Sequence, residues 1–336
     1  MLTISKGKYE GLKKLSDENG IIGALAIDQR GSLQKMITSY NEGNHAPSSL
    51  EHFKVLVSKE LTPYASSILL DPEFGWTAAE NRDRNAGLLV AYEKTGYDAS
   101  VEGRLPDLLA NWSVKRLKEK GADAVKLLLY YDVDESQQTN DQKHAFVERI
   151  GSECVAEDIP YFLEIVSYDA KNNDVKGIEY AKVKPHKVNE AVRKFSNPRY
   201  AVDVLKVEVP VNMNYVEGFS NGEVVYTKEE AKHYFKEQSD ASTLPFIFLS
   251  AGVSAELFQK TLVFAKEAGS TFNGVLCGRA TWKNGVEPFA KFGNEKALDW
   301  LRNSGRENIT NLNHVLKETA SPWWSQYGTQ ESVVVK

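Results

Sequence analysis

The stretch Ala124-Val125-Lys126-Leu127-Leu128-Leu129-Tyr130-Tyr131 carries a single charge in eight positions. An apolar run of that length without alternation reads as a strand covered on both faces, as in a parallel sheet between helical layers. The residues before it agree: 106–120 read as a helix that Gly121 stops, directly ahead of the strand. Working outward, similar runs lie at 21–27, 66–70, 88–92, 161–168, 202–210, 246–249 and 274–278, which makes eight candidate strands. Helical patterns fill most of the gaps. Val188, Ala191, Val192 and Phe195 recur at helical spacing behind Pro185, which is placed in a first turn. Leu257, Val263, Phe264 and Ala265 sit between a Ser254 cap and Gly269.

Strands alternating with helices mean a parallel sheet with right-handed crossovers. Eight such units close into an α/β (β/α)8 TIM barrel, the fold expected here. A doubly wound open sheet is the rival, disfavoured because no G-x-G-x-x-G follows the first strand. A plain barrel takes ~250 residues. The 336 present are expected to form one domain over 1–336, with an insertion at 211–243 after the sixth strand and a polar tail at 325–336. Within the insertion, 217–226 read as a small hairpin around Asn221-Gly222.

Composition excludes several classes. No run of ~18 uncharged apolar residues is present, so no transmembrane helix is expected. The lysines of 1–10 are not followed by an apolar core, so no secretory signal is expected. Cys154 and Cys277 read as free thiols of a reducing cytoplasm. The net charge of −5 argues against nucleic acid as a partner, but a few placed cations suffice for a phosphorylated small ligand. His45, His52, His144, His186, His233 and His314 show no metal-ligand spacing, and neither a Walker loop nor a G-x-S-x-G elbow appears. No metal and no cofactor are expected. The basic stretch 182–187 reads as the solvated face of a helix.

In such a barrel the active site gathers at the C-terminal ends of the strands. Few polar residues interrupt the apolar runs there. Asp28, Gln29 and Arg30 arrive together where the first run turns, a grouping that also suits a helix N-cap with a surface arginine. Lys126 sits inside a strand, where snorkelling is awkward. Glu164 interrupts 161–168 and suits either catalysis or a buried ion pair. In 204–210, period-two geometry puts Val204, Lys206 and Glu208 on one face, expected to point into the barrel. A lysine in an apolar, partly cationic pocket has its ammonium form disfavoured, so Lys206 is a candidate nucleophile, or else the partner of Glu208. Lys126 is expected to add like-charge repulsion. Ser250-Ala251-Gly252 and Gly278-Arg279 follow the seventh and eighth strands, where barrels often hold phosphate with backbone N–H groups and a cationic side chain.

These residues sit in segments that together are highly specific: KLSDENG at 14–20, AIDQRG at 26–31, AYEKTGY at 91–97, GADAVK at 121–126, YYDV at 130–133, IGSECVAEDIP at 150–160, YAKVKPHK at 180–187, DVLKVEVPV at 203–211, LSAGVSA at 249–255 and NGVLCGRATW at 273–282. They span nearly the whole chain, which resembles the bacterial tagatose 1,6-bisphosphate aldolases of the metal-independent, Schiff-base type. The stretch 74–85, with Trp76 and a charged run, departs from that pattern. The resemblance implies that Lys206 forms the imine and Glu164 is the acid/base carboxylate. It implies that Asp28, Gln29 and Lys126 surround the sugar and that Ser250 and Arg279 touch phosphate. It implies cleavage of a phosphorylated ketohexose to dihydroxyacetone phosphate and glyceraldehyde 3-phosphate, by a cytoplasmic homodimer of lactose and galactose breakdown. Two other readings stay open: an aldolase for a sulfo-sugar or another ketose phosphate, and a non-catalytic sugar-phosphate sensor.

Overall fold

The structure is a computed structural model and describes residues 3–40, 48–94 and 101–336. His45 and residues 95–97 of the AYEKTGY segment lie outside the described residues. Eight parallel strands close into a barrel in chain order: β1 (Ile22–Ala26), β2 (Ser67–Leu70), β3 (Gly87–Ala91), β4 (Ala124–Tyr131), β5 (Tyr161–Ser167), β6 (Val204–Val207), β7 (Phe246–Leu249) and β8 (Gly274–Cys277), which pairs back on β1. Each falls within its expected run apart from Gly87 of β3, which starts one residue early.

The pleat explains why both faces are apolar. Ile22, Ala24, Ala26, Leu69, Leu89, Ala91, Ala124, Phe162, Val204, Ile247 and Leu276 form one cluster inside the barrel. Leu25, Ile68, Val125, Leu127, Leu163 and Leu205, the alternate positions, pack against the helices. The N-terminal end is plugged: Leu12 and Leu15 of the helix Lys6–Leu15 join the interior cluster with Trp323 and Tyr327. The stretch 325–336 is built into this end, where Val334–Val335 pairs in parallel with Thr3–Ile4.

Four local expectations are corrected. Only Val114–Glu119 of 106–120 is helical, capped by Ser113. The preceding backbone is already committed: Lys94 N bonds Asp107 O at 2.9 Å and Leu109 N bonds Tyr92 O at 3.3 Å. Pro185 lies in the middle of the helix Ile178–Phe195, not in its first turn, because Tyr180 and Ala181 extend the buried face backwards. Of 211–243, the helix Lys228–Ala241 is the ordinary crossover to β7, opened by a Thr227/Glu230 capping box, so only 211–227 is extra. There 217–226 form no hairpin; a single parallel bridge joins Val216 to Tyr226, and Ser220 Oγ bonds Glu223 O across the turn at 2.8 Å.

Candidate active site

Five charged side chains stand at the C-terminal rim, each two residues past an apolar residue of the barrel interior: Asp28 after Ala26, Glu93 after Ala91, Lys126 after Ala124, Glu164 after Phe162 and Lys206 after Val204. One more step along each strand turns the packed interior into a charged ring. Register brings neighbours together, with Glu164 beside Lys206 and Ala91 beside Lys126.

Lys206 Nζ lies 2.7 Å from Glu164 Oε1, and Glu164 Oε2 lies 2.7 Å from Lys126 Nζ. Lys126 Nζ also meets Glu93 Oε1 at 2.7 Å and Asp28 Oδ2 at 2.9 Å. An ammonium has three N–H donors, and here three carboxylates take them. Lys206 is 4 % exposed and Lys126 1 %, so neither amine faces bulk water.

The electrostatics sort the three acids. Burial pushes Asp28 up, but Lys126 and Lys206 outweigh it and hold the carboxyl well below the usual range. Glu164 is lowered in the same way, burial being overcome by Lys126 and Lys206. Glu93 is raised: burial dominates, Lys126 offsets it in part, and the charges of Asp28 and Glu164 add to the rise. Lys126 is held charged against burial by Asp28, Glu164 and Glu93.

Several sequence expectations change in this setting. The repulsion expected from Lys126 is compensated at its source, because Glu164 bridges the two amines and Asp28 and Glu93 complete the cage. With its three donors taken, Lys126 orients the acids rather than offering a free N–H to a sugar. Glu208 does not face the barrel: β6 stops at Val207, so alternation ends. Its carboxylate turns to the helix layer, 3.2 Å from Lys184 Nζ, and accepts Ser167 Oγ at 2.6 Å. The stretch 182–187 is correspondingly not all solvated, since Lys184 and Lys187 are buried, Lys187 against Asp132 and Asp134. Arg30 is buried; its Nη2 donates to Glu93 O at 2.8 Å and its Nη1 pairs with Glu73, while its Nε has no partner among the described residues. It braces the loops after β1, β2 and β3.

The remaining candidates do converge. Gln29 carries a buried Oε1 with no partner among the described residues. A Cβ on Gly278 would meet Gln29 Nε2 at 3.6 Å and Ala26 O at 2.8 Å, so glycine lets the ends of β1 and β8 touch. Ala251 and Gly252 are both left-handed, with φ of 48° and 77°. A Cβ on Gly252 would lie 3.2 Å from the Arg279 guanidinium carbon, which joins the loops after β7 and β8 into one cradle. Ser250 is buried beside them and hydrogen-bonds Cys277.

Sequence reasoning missed Glu93, although the two-residue step past Ala91 that singles out Asp28 after Ala26 also points to it. It missed Arg104, whose guanidinium stacks 4.2 Å from the Tyr168 ring and reaches, with Arg279, the field around Tyr130. No periodicity marks a loop arginine. The buried pair Lys54–Asp71 was also missed; it closes the rim behind β1, Lys54 Nζ donating to Ile27 O at 2.9 Å. Among the described residues no three His, Cys, Asp or Glu side chains group as a metal site, and no helix is long and apolar enough to cross a membrane.

Fold and rim together define a (β/α)8 enzyme with an amine–carboxylate centre beside a glycine–arginine cradle. The profile of DeoC/LacD family aldolases matches residues 22–284. Tagatose 1,6-diphosphate aldolase 2 of Enterococcus faecalis is 65 % identical over 331 residues, covering 98 % of this chain and 100 % of its own. Tagatose 1,6-diphosphate aldolase of Lactococcus lactis subsp. lactis is 59 % identical over 322 residues, covering 96 % and 99 %. Among solved structures, fructose-bisphosphate aldolase of Plasmodium falciparum superposes with a TM-score of 0.67 at 14 % identity, covering 95 % of this chain and 98 % of that one. That likeness bears on the fold alone. The chain belongs to the DeoC/LacD family of aldolases. It is therefore a lyase that breaks and makes carbon–carbon bonds.

Proposed function

We propose that this aldolase cleaves D-tagatose 1,6-bisphosphate, and other ketohexose 1,6-bisphosphates, to dihydroxyacetone phosphate and D-glyceraldehyde 3-phosphate, with Lys206 as nucleophile. The full-length relatives named for tagatose 1,6-diphosphate support the substrate. The observation that carries the chemistry is the buried Lys206 amine at 2.7 Å from Glu164.

Lys206 is paired with Glu164, which takes up its proton, and the free amine attacks the C2 carbonyl. Glu164 returns the proton to the departing hydroxyl, water leaves, and a protonated imine remains. The imine draws the C3–C4 bonding pair into an enamine. A carboxylate takes the C4 hydroxyl proton as glyceraldehyde 3-phosphate departs; Glu164 is the first candidate and Asp28 the second. Protonation at C3 and hydrolysis release dihydroxyacetone phosphate and restore Lys206. Asp28 and Gln29 border the sugar. Ser250, Gly252, Gly278 and Arg279 receive one phosphate, and Arg104 is the further cation at the mouth for the other. Two anchored ends fix the carbonyl over the amine, where orientation alone is worth several kcal/mol. Lys126 and Arg30 stand behind these groups. The enzyme acts in the cytoplasm as a homodimer, as the family resemblance implies.

The test is turnover of tagatose and fructose 1,6-bisphosphates side by side, with and without EDTA. Dihydroxyacetone phosphate is expected from both, at rates the chelator leaves unchanged. Bound ligand without product, or full inhibition by EDTA, contradicts the proposal.

A further inference from the structure

We infer that Glu93 is a positioning residue of this aldolase, which holds Lys126 so that Asp28 and Glu164 present fixed carboxylates to the substrate. The inference deepens, and rests on, the reading of Lys206 and Glu164 given above.

Exposure separates the members of the cage. The side chains of Asp28 and Glu164 are 13 % and 11 % exposed, whereas those of Glu93 and Lys126 are 4 % and 1 %. Asp28 and Glu164 therefore border the open end of the barrel, and Glu93 lies behind Lys126. Glu93 is also fixed from several sides. Its Oε1 accepts from Lys126 Nζ at 2.7 Å and its Oε2 from Leu128 N at 3.1 Å. Its carbonyl accepts from Arg30 Nη2 at 2.8 Å, and the backbone bridges Leu108. The carboxylate thus ties the end of β3 to two residues of β4, and the backbone carbonyl ties it, through Arg30, to the loop after β1. A buried ammonium with one N–H left unmatched swings toward its remaining partners, which here are the two acids that meet the substrate.

Charge works in the same direction. The amine of Lys126 stands among the carboxyl groups of Asp28, Glu93 and Glu164. Without the charge of Glu93, the field of Lys126 falls undivided on Asp28 and Glu164. Glu164 becomes a weaker base and accepts the Lys206 proton less readily. The groups that face this point are Asp28 from β1, Lys126 from β4, Glu164 from β5 and, through Glu164, Lys206 from β6; Arg30 meets only the backbone carbonyl.

The experiment compares the wild type with Glu93→Gln, which keeps size and one acceptor, and Glu93→Ala, on tagatose 1,6-bisphosphate across pH. For Glu93→Gln the expected kcat loss is about 10- to 100-fold, the range for a residue that orients a group acting directly. KM stays within about threefold because the groups that touch substrate remain. The acid limb of kcat/KM moves to lower pH, and Glu93→Ala loses more. A Glu93→Gln enzyme with wild-type kcat and pH profile overturns the inference, as does a raised KM at unchanged kcat, which would mean direct substrate contact. Should Glu93→Ala fail to fold, the near-isosteric glutamine variant still decides. A wild type inactive on the bisphosphate fails the aldolase reading itself, an outcome distinct from an active wild type that is indifferent to Glu93.

Discussion

Lys126 and Lys143 are both fully buried, and their partners set them apart. Three carboxylates meet Lys126 and hold it charged. Lys143 Nζ has the Tyr168 hydroxyl at 3.0 Å and the Tyr168 ring at 4.9 Å. Burial pulls Lys143 down to about 8, with Glu135 and Asp132 offsetting only part of the loss. Its folded value lies below that of the unfolded chain, so between about pH 8 and 10 the unfolded chain binds the extra proton and stability gained from this group rises with pH. Below that window the penalty is complete. Lys143→Met is expected to remove the rise, so that chemical-unfolding midpoints of wild type and variant converge as pH increases from 8. Parallel curves across that window would contradict it.

At the level of strands and loops, the pleat carries both the fold and the site. A strand residue that faces inward on apolar neighbours is followed, two positions on, by one that faces inward at the rim. The loops add what the strands lack. Gly252 takes a φ of 77° against the Arg279 guanidinium, so Gly252→Ala adds backbone strain of about 1 kcal/mol and presses a methyl on that cation. A several-fold rise in KM for bisphosphates with little change in kcat is expected from steady-state kinetics; an unchanged KM would remove this loop from the phosphate site. The same elements show what was legible beforehand. The barrel could be read because its runs are buried on both faces, and Asp28, Lys126, Glu164 and Lys206 because a charge inside or ending such a run has few places to go. Glu93 stands one residue past the end of its run, as Asp28 does, and only the two-residue step from Ala91 marks it. Glu208 misled because β6 ends before it, and no local pattern reports where pairing stops. Pro185 misled because tertiary burial of Tyr180 and Ala181 outweighs the proline's preference for a first turn. That Arg30 and Lys126 are held by neighbours is a fact of three dimensions, absent from spacing.

Across the whole molecule, chemistry and stability occupy opposite ends of the barrel. The rim after the strands is charged, while the other end is closed by Leu12, Leu15, Tyr327 and Trp323. Trp323 is 1 % exposed, stacks edge-on to Tyr9, and its indole N–H donates to Ser16 Oγ at 3.2 Å. Trp323→Ala is expected to cost about 3–5 kcal/mol of stability and lower Tm by several degrees, with KM unchanged in the folded fraction. A variant whose KM changes as much as its stability would show that the two ends are coupled. At the other end the proposed chemistry turns on the amine of Lys206. Borohydride reduction in the presence of tagatose 1,6-bisphosphate, followed by peptide mass mapping, tests it most directly. The expected result is a single adduct of dihydroxyacetone phosphate mass on the peptide carrying Lys206, and none in Lys206→Met. An adduct on Lys126 instead, or rapid turnover with no adduct at all, would contradict it.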